Sequence, residues 1–401
     1  MSLRILVALG AASCHYNSVT HCRSQSSEKS LAEHKVTKGP RQTMVEWELI
    51  CGVEDETCWK VEHGLRLMSI FMKNVILFKQ PLLIKVNYEY ICNFICFHRE
   101  VASCTPSHLI QANENNLTLL YPQALHKQKH GKEPSHQTYD MTISFDAHFN
   151  FYFPMDHHST QSSCRFDFME TLTHEVLHGL GVYSSLQKLA SDLVAPIQAT
   201  NKHFTGKETV YKEYLIFSLF DIHIIVDIKN TSLAYFAEHL RDLGPITLKP
   251  HESLKSRIFS FPHHVLLKKL AKSSKDSLSF QTLKGDKIKL NPSSFFSFNT
   301  PDHLDSSVYA YTRDEAMIPY TLPGIGLHDL FNCEKNWTTS PFGPDTLEVL
   351  ATLGYIINPS PMYEDSLEFY YAKQNKLPRD LTSSLFFRAS PLKYFCFGIL
   401  F

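Results

Sequence analysis

Residues 173–184 read T-H-E-V-L-H-G-L-G-V-Y-S and contain the pattern His-Glu-x-x-His, which consists of His174, Glu175 and His178. On a helix, positions i and i+4 lie on the same face, so these two imidazoles can bind one zinc ion. The glutamate between them can act as general base on a zinc-activated water. In a chain with 22 histidines the pattern also arises by chance, on an ordinary half-buried helix.

The residues around this pattern predict a helix. Asp167, followed three residues later by Glu170, has the form of a capping box at a helix N-terminus. Gly179 and Gly181 are expected to end the helix. An apolar stripe along it consists of Phe168, Leu172, Leu177 and Leu180.

Gly181 makes the pattern more specific. It lies three residues after His178, where zinc proteases of the metzincin class turn the chain out of the helix. In that class a third histidine ligand follows three residues later, but this chain has Ser184 there. Because serine is a poor zinc ligand, the third ligand must come from elsewhere or the site is broken.

Composition and charge exclude several other classes of protein. The chain has 401 residues, 43% of them apolar, and a net charge of −1. It is long enough for a large core and carries no electrostatic signal for binding nucleic acid or an acidic membrane. No apolar run reaches the roughly 20 residues that span a bilayer, so we expect no transmembrane segment.

The N-terminus and the cysteines favour an extracellular protein. Ile5–Ala12 follows one basic residue and resembles a weak secretory signal, although a plain N-terminal strand is an open alternative. Ten cysteines point to an oxidising compartment, and Cys51 and Cys58 are close enough for a local disulfide. Association with a cell wall is left open. Glycosylation sequons occur at Asn116, Asn230 and Asn336.

The segment before the motif predicts the first elements of an α/β sheet. Helical spacing covers residues 61–79, and alternation predicts a strand over Leu82–Cys92. Tyr139–Phe153 is expected to form one or two strands. If one of these is an edge strand, an extended peptide could add to it by backbone hydrogen bonds; if it is interior, it could not. The candidate substrate strand consists of Ile143, Ser144 and Phe145.

The third ligand has several candidates. About 115 residues without an obvious motif follow Ser184, and they contain His203, His223, His239, His251, His263 and His264. A better candidate is His303, which comes 14 residues before Met317 in the segment D-E-A-M-I-P.

Together these segments resemble the leishmanolysin-type branch of the metzincins. That branch combines H-E-x-x-H-x-x-G-[FV], an insertion, a late third histidine, a D-E-L-M-x-P Met-turn, and a helix that ends in G-Y or G-F. This chain has H-E-V-L-H-G-L-G-V, His303, D-E-A-M-I-P, and T-L-E-V-L-A-T-L-G-Y at 346–355. It is also similar to secreted fungal metalloproteases that share the S-F-x-A-x-F-N, H-G-L-G and H-L-D segments.

Three departures accompany the resemblance. The gap of about 125 residues between His178 and His303 is longer than the leishmanolysin arrangement suggests. Alanine precedes Met317 where that branch has leucine, and Pro301 and Asp302 replace small residues. None of these changes removes a ligand.

The resemblance implies an α+β fold of metzincin type. We expect a mixed twisted sheet and the active-site helix in an N-lobe, and a smaller C-lobe with the Met-turn and a C-terminal helix. A long insertion separates the second and third zinc ligands. The expected division is a signal, pro-region or disordered lead, the N-lobe, the insertion, the C-lobe and a tail, at residues 1–60, 61–185, 186–296, 297–358 and 359–401.

The resemblance also implies the chemistry. His174, His178 and His303 would bind Zn²⁺, and Glu175 would accept a proton from water during attack on a peptide carbonyl. We therefore expect a secreted zinc endopeptidase that acts on a peptide or protein and not on nucleic acid. The alternative is a non-catalytic secreted binding or surface protein on a metalloprotease fold. A structural zinc ranks last, because such sites usually have four protein ligands, often cysteines.

Three residues near the third histidine receive expected roles. Met317 would form the apolar floor beneath the metal. Tyr320 is a candidate hydrogen-bond donor to the oxyanion. Asp305 would either orient a zinc ligand or be a solvated loop aspartate.

Overall fold

The computed structural model describes residues 35–39, 43–91, 100–156, 165–190, 193–196, 198–205, 208–226, 230–241, 246–248, 254–260, 264–273, 278–291, 301–321 and 342–359. Across these ranges, no helix combines the length and the apolar character that crossing a membrane requires. The signal-like N-terminus and the tail after residue 359 lie outside the described residues.

The strands, in chain order, are β1 Lys35–Lys38, β2 Val45–Cys51, β3 Leu82–Glu89, β4 Ala102–Pro106, β5 Leu109–Glu114, β6 Leu117–Pro122, β7 Met141–Asp146, β8 Phe151–Tyr152, β9 Phe166–Asp167, β10 Leu186–Ala190, β11 Leu193–Pro196, β12 Gln198–Thr205, β13 Glu208–Tyr214, β14 Ile224–Ile225, β15 Ile246–Leu248, β16 Ser279–Gln281 and β17 Lys287–Lys289. The α-helices are α1 Asp55–Val75, α2 Gln123–His130, α3 Phe168–Leu180, α4 Leu233–Leu240, α5 Leu254–Phe259, α6 His264–Ser273, α7 Ser306–Tyr309 and α8 Pro344–Leu353. Short 3-10 helices cover Asp221–His223 and Glu315–Met317.

A five-stranded mixed sheet organises the first half of the chain. Its strand order is β1-β2-β3-β7-β4, with β2, β3 and β7 parallel and the two edge strands antiparallel to their neighbours. Helices α1 and α3 contact each other and the sheet. The expected α+β class with a mixed sheet is therefore confirmed.

Strand β2 corrects the expected irregular lead. Residues 45–51 read V-E-W-E-L-I-C, and Val45, Trp47, Leu49 and Cys51 are buried at alternate positions. A disulfide joins Cys51 to Cys58 in the first turn of α1, which confirms the local pairing. The ordered N-lobe thus begins before residue 60, because period-2 alternation places this strand inside the sheet.

The helix and strand that follow were largely predicted. Helix α1 begins six residues before the predicted start at 61 and ends at Val75, four residues before the predicted end at 79. Strand β3 confirms the alternating segment from Leu82. The composition of residues 105–138 predicts loops with an ordered stretch only at 119–128, but the hairpin of β5 and β6 and then helix α2 make the ordered part longer.

Strand β7 corrects the candidate substrate strand. It contains Ile143, Ser144 and Phe145, and it lies between β3 and β4 in the interior of the sheet. Both sides of β7 are already paired, with β3 and with β4, so a peptide cannot pair with this strand. Strand β4 is the edge on this side, and it pairs antiparallel with β7.

Helix α3 lies unusually close to the sheet. A Cβ atom at Gly179 would come within 2.3 Å of the sulfur of Met141 in β7. Gly179 therefore lies inside the helix as a close-packing residue, and the prediction that it helps to end the helix is wrong. Gly181 ends the helix, with a left-handed φ of 119°.

The predicted insertion contains small sheets and helices. Strands β12, β13 and β15 form one sheet, and β14, β16 and β17 form another. The sequence Lys284-Gly285-Asp286 predicts a hairpin turn, and β16 and β17 form that hairpin, with Gly285 at a φ of +91°. The apolar residues at 214–226 favour a strand in the sequence, but a 3-10 helix interrupts this segment before β14.

The C-terminal segment returns to the active-site helix. Helix α8 starts at Pro344 and is followed by Gly354, in agreement with the preference for proline in the first turn of a helix and glycine after its last turn. The Tyr355 hydroxyl donates to the carbonyl of Leu180 at 2.7 Å, at the end of α3. Asn358 donates to the carbonyl of Val75 at 2.8 Å. These two hydrogen bonds join the residues that follow α8 to the ends of helices α3 and α1.

A buried polar network holds α2 against the sheet. The Lys127 ammonium contacts the Asp140 carboxylate, and these side chains are only 4% and 0% exposed. Asp140 also accepts the Leu83 backbone N–H at 2.7 Å and the Gln123 side-chain amide at 3.0 Å. Several donors therefore depend on one buried carboxylate.

We expect Asp140→Ala to lower the free energy of unfolding by about 3–5 kcal/mol, because it leaves the Lys127 ammonium buried without its counter-ion. Urea unfolding followed by circular dichroism measures the change. The control is Asp55→Ala, which removes an exposed pair with Lys35 and should cost less than about 1 kcal/mol. Equal losses in the two variants would contradict the structural role of the buried pair.

Candidate metal centre

Helix α3 presents the first two histidines as the sequence predicts. The Asp167 side chain accepts the backbone N–H of Glu170 at 2.8 Å and caps the helix. His174 and His178 then lie one helical turn apart on the same face. The 3-10 turn that contains Met317 packs against this helix.

Three imidazole nitrogens converge at one point. The Nε2 atom of His174 lies 3.1 Å from Nε2 of His178 and 3.3 Å from Nε2 of His303. The structure thus brings His303 beside the two helix residues, although about 125 residues separate it from His178. The expected ligand set is assembled.

The contacts of the Nδ1 atoms imply that the Nε2 atoms of His174 and His178 do not donate hydrogen bonds to each other. His174 Nδ1 lies 2.7 Å from the carbonyl oxygen of Ala316, and His178 Nδ1 lies 2.8 Å from that of Val182. A carbonyl only accepts, so each Nδ1 carries the proton, and each Nε2 of a neutral ring has a lone pair. Burial, followed by the neighbouring imidazoles, holds the pKa of His174 well below its usual range. Lone pairs therefore face one another.

A zinc ion fits this arrangement. Zinc–nitrogen bonds are about 2.0–2.1 Å long, so tetrahedral coordination separates two ligand nitrogens by about 3.3 Å. The observed Nε2 separations of 3.1 and 3.3 Å match that value. A cation placed among the three lone pairs would remove their mutual repulsion.

A second group of potential ligands does not fit a metal. It consists of His126, Glu133 and His136, around helix α2. The Glu133 backbone N–H donates to His136 Nδ1 at 3.1 Å, so the proton of that neutral ring is on Nε2. This Nε2 lies 3.2 Å from His126 Nδ1 and can donate to it. A proton thus occupies the space where a metal would bind.

The general-base candidate lies beside the three histidines. Glu175 is 5% exposed, and burial raises the pKa of its carboxyl to about 7. His178 and the backbone N–H of Cys104 lower this pKa, and Glu100 and Asp302 raise it further. The carboxylate opens onto a cleft of about 500 Å³, lined by the three histidines and by residues 100–104 at the start of β4.

The other predicted site residues have distinct positions. Tyr320 lines the cleft and is half exposed. Met317 is 2% exposed, and its carbonyl accepts the Leu304 backbone N–H at 2.8 Å. Asp305 is neither a solvated loop residue nor a partner of a ligand: it caps α7 through Ser307 N–H at 2.9 Å and pairs with Lys289 at 2.9 Å.

Asp302 is the residue that sequence reasoning missed. It is 4% exposed, and its carboxylate lies 3.1 Å from His303 Nδ1. The sequence showed it only as a departure from the expected small residues. Ser184, at the position of the missing histidine, donates its hydroxyl to Asp221 at 2.5 Å.

Comparison with known proteins gives one match. A family model described as SPBPB7E8-like matches residues 9–213, just over half of the chain. The matched region includes His174, Glu175 and His178 and ends before His303. No curated protein and no solved structure gives a significant match.

We expect the purified protein to hold one zinc ion per chain, and His303→Ala to lose it. Removing a ligand should weaken zinc binding by more than the 10–100-fold typical of residues that only support a ligand. Metal analysis after dialysis, with chelator competition for affinity, measures both. The matched control is His136→Ala, which should keep one zinc ion. Unchanged zinc affinity in His303→Ala would place the third ligand in residues 186–296.

Proposed function

The chain belongs to the SPBPB7E8-like family, and we propose that it is a zinc-dependent endopeptidase of the leishmanolysin-like metzincin type. The observation that carries this proposal is the convergence of three Nε2 lone pairs, from His174, His178 and His303, beside the Glu175 carboxylate. All four side chains face one open cleft, so a substrate can reach them.

The fold around the site supports the same proposal. A mixed sheet, an active-site helix that ends at a left-handed glycine, and a tight turn with a buried methionine occur in the expected order. The turn supplies the Ala316 carbonyl that fixes the proton of His174. The D-E-A-M-I-P segment therefore has a direct contact with a proposed ligand, as a Met-turn should.

The edge strand β4 supports an extended peptide as substrate. Its first residues, Ala102, Ser103 and Cys104, line the cleft beside Glu175. One side of β4 pairs with β7, and no other strand among the described residues pairs with its opposite side. A peptide that adds to β4 by backbone hydrogen bonds would lie across the three histidines. This strand takes the role that the sequence assigned to β7.

The proposed roles of the side chains follow from their positions. His174, His178 and His303 would hold zinc, which when bound polarises a carbonyl and makes water a stronger acid. Glu175 accepts a proton from water during attack on the peptide carbonyl and delivers it to the leaving amine. Tyr320, at the cleft wall, can donate a hydrogen bond from its hydroxyl to the developing oxyanion.

Secretion is part of the proposal. The disulfide between Cys51 and Cys58 is consistent with an oxidising compartment. Asn116 and Asn230, the first residues of two sequons, are both in left-handed conformations. Turns of this kind can carry a glycan.

We expect Glu175→Gln to lower casein hydrolysis by at least about 10²–10⁴-fold while zinc content stays at one per chain, because an amide cannot accept the proton. The assay is release of acid-soluble peptides from labelled casein, run beside metal analysis. The matched control is Glu238→Gln, an exposed residue on α4, which should leave both values unchanged.

Two outcomes would contradict the proposal. Hydrolysis by Glu175→Gln at the wild-type rate would show that Glu175 is not the general base. Wild-type protein that binds zinc tightly and hydrolyses no protein would overturn the endopeptidase and favour a non-catalytic binding protein on this fold.

A further inference from the structure

We propose that Asp302 is a positioning residue that fixes the tautomer and orientation of His303 and connects this ligand to the segment following helix α3. The inference rests on the proposed zinc site and extends it to a residue that does not touch the metal.

The Asp302 carboxylate connects two parts of the site. One oxygen, Oδ1, lies 3.1 Å from His303 Nδ1. The other, Oδ2, accepts the Ser184 backbone N–H at 3.2 Å and lies 3.9 Å from His178 Nδ1. Because the residue is 4% exposed, little water competes for these contacts.

His303 requires such a partner more than the other two ligands do. His174 and His178 lie on one rigid helix, and main-chain carbonyls hold their Nδ1 protons. His303 lies outside any helix or strand, so its ring orientation depends on its own contacts. A carboxylate at Nδ1 keeps the proton there and leaves the Nε2 lone pair free for a metal.

Ser184 links Asp302 to the segment that follows helix α3. It stands where metzincins carry their third histidine, and here it contributes a backbone N–H to Asp302. Its hydroxyl donates to the buried Asp221 at 2.5 Å, which fixes the serine in turn. The segment after the helix therefore supplies a support for the distant ligand, and not a ligand.

Asparagine at position 302 would conserve the shape but not the hydrogen bonds. The carboxylate has two accepting oxygens, which face two donors, His303 Nδ1–H and Ser184 N–H. An amide has only one accepting oxygen, so in either orientation its NH₂ group faces a donor. If the NH₂ faces His303, the ring must move its proton to Nε2, where it blocks metal binding.

The test compares Asp302→Asn with Asp305→Asn, a second buried aspartate in the same loop whose role is to cap α7. We expect Asp302→Asn to bind zinc about 10–100-fold more weakly than wild type, measured by chelator competition. In the Co²⁺-substituted protein the visible ligand-field bands should shift in position and intensity. Asp305→Asn should match wild type in zinc affinity and in the Co²⁺ spectrum, because asparagine also caps helices.

Three outcomes are informative. Wild-type zinc affinity and spectrum in Asp302→Asn would overturn this inference, while casein hydrolysis by the wild type would still support the protease. Equal weakening in both variants, in proportion to lost thermal stability of the metal-free proteins, would reduce Asp302 to a structural role and also overturn it. Weakened zinc binding in Asp302→Asn alone supports it, even if the wild type hydrolyses no protein.

Discussion

The candidate site depends on the hydrogen bonds that fix the imidazole protons on Nδ1. Without them the rings could rotate or exchange tautomers, and the Nε2 atoms would have no reason to converge. One bond ends on Val182, just after the left-handed turn at Gly181, and another ends on Ala316 in the 3-10 turn. The orientation of both rings therefore depends on the path of the main chain at Val182 and at Ala316, which places the two carbonyl oxygens.

The irregular segments that carry these groups are held by buried carboxylates. Asp221 accepts hydrogen bonds from the hydroxyls of Ser184 and Ser185 and from the backbone N–H groups of Ser185 and Ser218. Burial raises the pKa of Asp221, and these hydrogen-bond donors lower it. Asp314 accepts the Thr346 backbone N–H at 2.7 Å, which ties the Met-turn segment to α8. Loops without regular backbone bonding thus keep fixed positions near the three histidines of the candidate site.

Local patterns in the sequence predicted the parts of this structure that depend on neighbouring residues. The cap at Asp167, the turn at Gly181 and the helix after Pro344 are each determined within a few residues. Strand order was not predictable in this way. The alternation around Ile143 is compatible with an edge or an interior strand, and only pairing with β3 and β4 decides between them.

The proposed third ligand, His303, and the neighbouring Asp302 show the same limit at the candidate site. His303 could be selected only because the order of motifs resembles a known family, since nothing local distinguishes it from the histidines of the insertion. In the sequence, Asp302 is only a departure from the small residues of the leishmanolysin pattern. Its role depends on contacts with His303 and with Ser184, which is 118 residues away along the chain. Such contacts leave no periodic signal in the sequence.

The matched family region alone does not contain a complete site. Residues 9–213 include the helix with His174 and His178, but His303 and the Ala316 carbonyl come later in the chain. A unit that ended near residue 213 would hold two imidazoles, one of them without its main-chain partner. The returning C-terminal segment, which bonds Leu180 through Tyr355, is needed to close the arrangement. Binding of the proposed zinc ion and the contacts of residues 301–321 and 342–359 should therefore stabilise each other, because each completes a geometry that the other requires.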